Sequence, residues 1–379
     1  MNKFGISFAA FAASFGMASL AFGQAVINNG PYQTHANGGP GNAPRSVLQT
    51  ASPLLLNTYG FGCQLSANNR VADDFVVPAN TKMKVQAMRV YLYQTGATSA
   101  SINHLNARIW NGAPNGGGSV IWGNTATNIL SANTLTSVFR VDDVTTPIPS
   151  NRQVQLVQGS VSPAQTMNPG TYWLDYQAGG TLASGPWALP VTILGQGGKT
   201  GANGLQFDSL AWAGLDDAGF AQDVCFELLG SWILPPTAQT LVSGVPFGGG
   251  LPELQNSDNA HLFILLDEGT PNANIEYTTT TPSTTLSTLS LTHEDSSTRN
   301  DLIIFIDFQN NTNGWEAISN GPSTFTDTVR VQSVAVNAGR FLRAGGQLKA
   351  RMRAIPTEDL VAEDGWSVLV DQVQWEATP

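Results

Sequence analysis

Gln347-Leu-Lys-Ala-Arg-Met-Arg-Ala354 alternates polar and apolar residues at every step. A period of two puts Leu348, Ala350, Met352 and Ala354 on one face of a strand and the charged residues on the other. A helix would need its apolar residues three or four apart. The segments 84–94, 170–177, 285–294, 301–308 and 366–375 read the same way, and 39 Gly and 21 Pro punctuate the chain with turns. The spacing predicts an all-β chain of two tandem antiparallel β-sandwich, jelly-roll-like domains, 46–233 and 244–379. Residues 24–45, with Asn28-Asn-Gly-Pro31 and Asn37-Gly-Gly-Pro-Gly-Asn42, read as an extended lead-in, and 234–243, with Pro235-Pro236, as a linker. The Thr-rich run 278–292 reads as strand, because Leu286, Leu289 and Leu291 are embedded in it.

The first 23 residues join a positive start at Lys3 to an apolar run ending at Phe22, with Ala21 and Gly23 as small residues before a cut at Gln24. This is the pattern of a cleaved signal peptide, so a secreted or periplasmic protein is expected. No later run reaches the ~18 apolar residues that a membrane span requires. Seventeen Lys and Arg against 27 Asp and Glu give a net charge of -10, without the basic footprint that a nucleic acid demands. Cys63 and Cys225 are the only cysteines. An even count in an oxidising compartment reads as one disulfide, with two buried thiols as the alternative.

Four stretches of the first half, Asn69-Arg-Val-Ala-Asp-Asp-Phe-Val-Val77, Ala107-Arg-Ile-Trp-Asn-Gly112, Pro169-Gly-Thr-Tyr-Trp-Leu-Asp-Tyr-Gln177 and Ser184-Gly-Pro-Trp-Ala-Leu-Pro-Val191, form one pattern. In the second half the pattern continues in Leu254-Gln-Asn-Ser-Asp-Asn259, Arg340-Phe341, Gln347–Arg353 and Trp366-Ser-Val-Leu-Val-Asp-Gln-Val-Gln-Trp375. The chain resembles a family of uncharacterised secreted bacterial proteins built from tandem β-sandwich domains. The resemblance implies secretion and β architecture, and carries no activity from residue to residue.

Chemical motifs are few. Gly198-Lys199-Thr200 has the tail of a phosphate loop, but Ile193 stands where its first glycine belongs. His35, His104, His261 and His293 lack zinc spacing. Gln309-Asn-Asn-Thr-Asn-Gly-Trp315 lacks the carboxylates of a calcium loop and reads as a polar turn. No cofactor is called for. The pairs Asp73-Asp74, Asp142-Asp143 and Asp216-Asp217 are where hard oxygen ligands would collect a structural calcium, with solvated turn aspartates as the alternative. No Gly-x-Ser-x-Gly elbow occurs.

Nine tryptophans remain to be placed. Trp110 and Trp173 fall within strands and read as core. Trp122, Trp187 and Trp212 sit among Gly, Pro, Ala or Asn and are the candidates for stacking on a sugar ring. The reading is a noncatalytic extracellular module that binds a polysaccharide or another surface polymer. A structural or interaction protein of the cell surface or matrix is the alternative, and a polymer hydrolase the third choice.

Overall fold

A computed structural model describes residues 24–266, 272–357 and 365–379. The expected signal peptide, 1–23, lies outside the described residues. The chain is all-β: among the described residues helix is confined to short 3-10 turns, and no helix is long and apolar enough to cross a membrane.

The first sandwich opposes two sheets. In one, Arg45–Leu48, Leu130–Asp142, Gln153–Met167, Lys82–Tyr93 and Phe226–Leu234 lie side by side. In the other the order is Trp212–Gly214, Leu205–Asp208, Asn69–Val77, Gly170–Gly180, Ile102–Asn111 and Ser119–Gly123. Alternation sorts each strand. Leu174, Tyr176 and Ala178 enter the intersheet core with Val71, Phe75, Leu105, Ala107 and Ile109, while their odd-numbered or even-numbered neighbours face outward. Ala25–Asn28, inside the expected lead-in, pairs with Phe226–Leu234.

The second sandwich opposes Ala238–Ser243, Ala273–Thr280, Gln347–Pro356, Leu302–Gln309 and Trp315–Pro322 to a sheet around Trp366–Thr378. Leu348, Ala350, Met352 and Ala354 are buried, as the opening alternation requires. The Thr-rich run supplies the end of Ala273–Thr280 and the start of Thr288–Ser297. Of the segment 234–243, Pro235 and Pro236 break the strand ending at Leu234, and the rest is largely the strand Ala238–Ser243. The two sandwiches share one sheet, because Trp232 pairs with Ala377 and Leu234 with Trp375. At this seam Glu376 accepts from Ser231 Oγ at 2.6 Å and pairs with Lys84 Nζ at 3.0 Å.

The disulfide expectation is corrected: Cys63 and Cys225 are both free and buried. Alternation separates them. Cys63 belongs to the intersheet core, whereas Cys225 packs with Tyr91, Tyr93 and Leu189 on the far side of the Lys82–Tyr93 sheet. Each thiol finds a carbonyl instead, Cys63 at Pro186 (3.5 Å) and Cys225 at Pro190 (3.3 Å).

Candidate functional site

The outer face of the second sheet of the first sandwich carries aromatic and ionic side chains in adjoining rows. Register builds it. Trp173 lies opposite Trp110, Asp175 opposite Arg108, and Gln177 opposite Asn106. Across the next strand, Asp175 adjoins Ala72, and Arg70 is opposite Phe207, which is itself opposite Trp212. Ala72, Leu205 and Trp173 are buried on this side of the sheet, and Trp110 and Trp212 pack against them as a separate apolar cluster. Phe207 and Trp212 have ring centroids 5.4 Å apart.

Beside the rings, Asp175 is fully buried and accepts from Arg70 Nε at 2.5 Å, Arg108 Nε at 2.7 Å and Trp110 Nε1 at 3.1 Å. Arg70, only 1% exposed, also donates to Gln177 Oε1 and to Asn106 Oδ1. Among the described residues its Nη2 has no protein acceptor. Burial lowers the Arg70 pKa, and the adjacent Asp175 carboxylate opposes that shift. The Arg108 guanidinium lies 4.7 Å from the Trp110 ring centroid and keeps about a fifth of its side-chain surface in solvent. The network therefore holds the half-exposed Trp110 and Arg108 in fixed positions.

At the other end of the strands, His104, Gly179, Gly180, Leu65 and Leu182 line a cleft of about 510 Å³. A Cβ on Gly179 would come within 3.0 Å of the His104 Cβ, so glycine keeps the cleft open.

Of the three candidate tryptophans, only Trp212 belongs to this face. Trp122 packs half-buried against the intersheet core. Trp187 packs with Tyr91 and Tyr93 and donates to Ser184 Oγ at 3.3 Å. Trp173, read from sequence as core, is buried, in a cluster on the outer side of its sheet, and Trp110, read the same way, is half-exposed beside the ionic network. Their position in one outward row with Arg108 and Asp175 was the available signal.

The aspartate candidates are spread apart. Asp73 is buried, and its Oδ2 accepts from Asn29 Nδ2 at 2.7 Å and from the Val224 N–H at 2.8 Å. Burial and the neighbouring Asp223 charge push its carboxyl well above the usual range. Asp74 faces the opposite side of the same strand, half-buried. Asp216 accepts from the Gly219 N–H in an exposed turn, and buried Asp217 accepts from the N–H groups of Asn57 and Thr58. Lys199 of the failed phosphate motif pairs with Asp223 at 3.1 Å. Among the described residues, the ligand atoms of His261, Asp327 and Asp371 lie within 4.8 Å of one another. They are engaged with Ser296 and with the N–H groups of Asp258 and Asn259.

No family model matches this chain and no curated protein matches it. Among solved structures, a CBM4 module is 10% identical over 36% of this chain and 94% of its own, with a TM-score of 0.26. TmCBM61, in complex with beta-1,4-galactotriose, is 9% identical over 38% and 95%, with a TM-score of 0.25. The enzymatically active domain of bacteriophage CBA120 tailspike protein 4 is 12% identical over 37% of this chain and 19% of its own, with a TM-score of 0.26.

Proposed function

We propose that this chain is a noncatalytic saccharide-binding protein that holds a sugar polymer against the outer face where Trp110 and Trp212 are half-exposed around buried Trp173. The observation that carries this reading is the placement of aromatic rings beside donors already fixed by a buried carboxylate, Asp175. Sugars present apolar C–H faces and hydroxyl rims, and rigid rings next to preorganised N–H groups meet both without ordering cost on binding. Secretion belongs to this reading and rests on the leader pattern of 1–23; N-terminal sequencing of exported protein tests it.

The experiment is binding of the mature chain to a panel of soluble polysaccharides, by calorimetry and affinity electrophoresis, with Trp110→Ala and Trp212→Ala variants. Each variant should lose affinity about tenfold, the effect of removing one aromatic anchor worth 1–2 kcal/mol. Full retention by both variants would remove the face from consideration.

A second reading, a surface or matrix interaction protein, is favoured by the strand Thr328–Val334. Among the described residues it pairs on one side only, with Thr288–Ser297, and it exposes 58% of Val329 and 62% of Val331. An unpaired edge with apolar side chains is a template for another chain. Light scattering that shows a strict monomer at high concentration would dismiss it.

A further inference from the structure

The second sandwich repeats the ionic device of the first on its own outer face. Asp307, 1% exposed, accepts from Arg351 Nε at 2.6 Å and from Arg353 Nε and Nη2 at 2.8 and 3.1 Å. Register explains the clamp: Arg351 lies directly opposite Asp307, Arg353 lies opposite Phe305, and alternation sends all four outward while Met352, Ile306 and Ala354 enter the core. The Arg351 guanidinium then covers Trp315 at 4.4 Å from the ring centroid, and that of Arg353 covers Phe305 at 4.8 Å. Trp315 and Phe305 are half-buried.

The two arginines are not equivalent. Arg353 commits Nε and Nη2 to one carboxylate, whereas Arg351 gives only its Nε. Among the described residues neither Nη of Arg351 has a protein acceptor, and 21% of its side chain is exposed. Next to it Lys349 and Glu276 pair and cancel. Two arginines against Asp307 leave one positive charge on this face, in a chain whose net charge is -10. A charge surplus held rigid beside a Trp ring suits an anionic ligand with an apolar ring face, and the planar fork of a guanidinium suits a carboxylate.

We propose that the face formed by Arg351, Arg353, Trp315 and Phe305 is a second binding site, for a carboxylate-bearing saccharide such as a uronic-acid oligomer. It rests on the saccharide-binding reading of the chain but uses none of the residues of the first face, so the two can fail separately.

The test is calorimetric binding of tetragalacturonate to the full mature chain, beside its carboxyl-reduced, neutral counterpart, at low and high salt. Arg351→Gln is the central variant, because Asp307 keeps its bidentate partner Arg353 and the fold is spared. Trp315→Ala is the second, with near-ultraviolet circular dichroism to check packing. The expected result is binding of the acid form that weakens with salt and falls at least tenfold in Arg351→Gln and in Trp315→Ala. Equal affinity for the neutral oligomer, no binding of the acid by the wild type, or full retention of acid binding in Arg351→Gln and Trp315→Ala overturns the proposal. Failure of the first face would show instead as Trp110→Ala and Trp212→Ala variants that bind every polysaccharide as the wild type does.

Discussion

Trp173 and Trp110 face each other across two antiparallel strands, Trp173 buried in an apolar cluster on the outer side of its sheet and Trp110 half-exposed beside it. The pair is anchored from one side by Asp175, which accepts from Trp110 Nε1 and from two arginines. The aromatic surface and its ionic support are thus one construction, and each can be tested through the other.

Removing the support should be costly. Asp175→Ala leaves Arg70, 1% exposed, without its counter-charge, and an uncompensated buried charge costs about 3–5 kcal/mol. Chemical denaturation measures it, and Arg108→Ala, at the solvent edge, should cost much less. A loss below about 1 kcal/mol for Asp175→Ala would mean that the network does not hold the face.

Neither thiol should react in the native protein. Burial pushes Cys63 up to about 12 and raises Cys225 as well, so little thiolate forms at pH 8. A thiol reagent should label no cysteine in buffer and two per chain in denaturant, and the mass should not change on reduction. One labelled only after reduction would restore the disulfide.

Acid should weaken the first sandwich. Burial alone would raise the Asp142 pKa, but hydrogen bonds from Thr145, Tyr59 and the Val144 N–H outweigh it and hold the carboxyl below its usual range. Asp143 is held down in the same way by Thr50 and the Ala51 N–H. A depressed folded value contributes stability above the unfolded carboxylate pKa of about 4 and loses it as pH falls through the folded value. Asp73 has the opposite sign: its raised carboxyl favours folding at low pH, and that contribution fades as pH rises. Urea midpoints at pH 7, 4 and 3 should fall steeply below pH 4, and Asp142→Asn should flatten the fall. An unchanged profile in Asp142→Asn would contradict the assignment.

The two sandwiches should melt together. Their sheets are continuous through Trp232–Ala377 and Leu234–Trp375, and Glu376 ties Lys84 and Ser231 across the seam. Calorimetry should give one transition, and two resolved transitions would show that the seam is not cooperative.

Much of the fold is legible in order along the chain. In Gln347–Pro356 polar and apolar residues differ sharply, so the buried side can be read directly. In Gly170–Gly180 the run Tyr172-Trp-Leu-Asp-Tyr176 mixes aromatic residues on both faces, and only Asp175, two positions on, marks the row of Trp173 as distinct from that of Leu174. Trp212 was reachable because its Ala and Gly neighbours mark a short edge strand. Arg70 and Asp175 lie 105 residues apart, and only sheet pairing joins them.

The sequence by itself determined the all-β class, the position of most strands and the acidic character of the chain, because alternation and charge are properties of neighbouring residues. The tertiary structure decided which face each tryptophan takes, that Cys63 and Cys225 lie on opposite sides of a sheet, and that buried aspartates gather arginines twice. Those outcomes depend on which strands become partners and in what register, and register is set by packing across the whole sandwich.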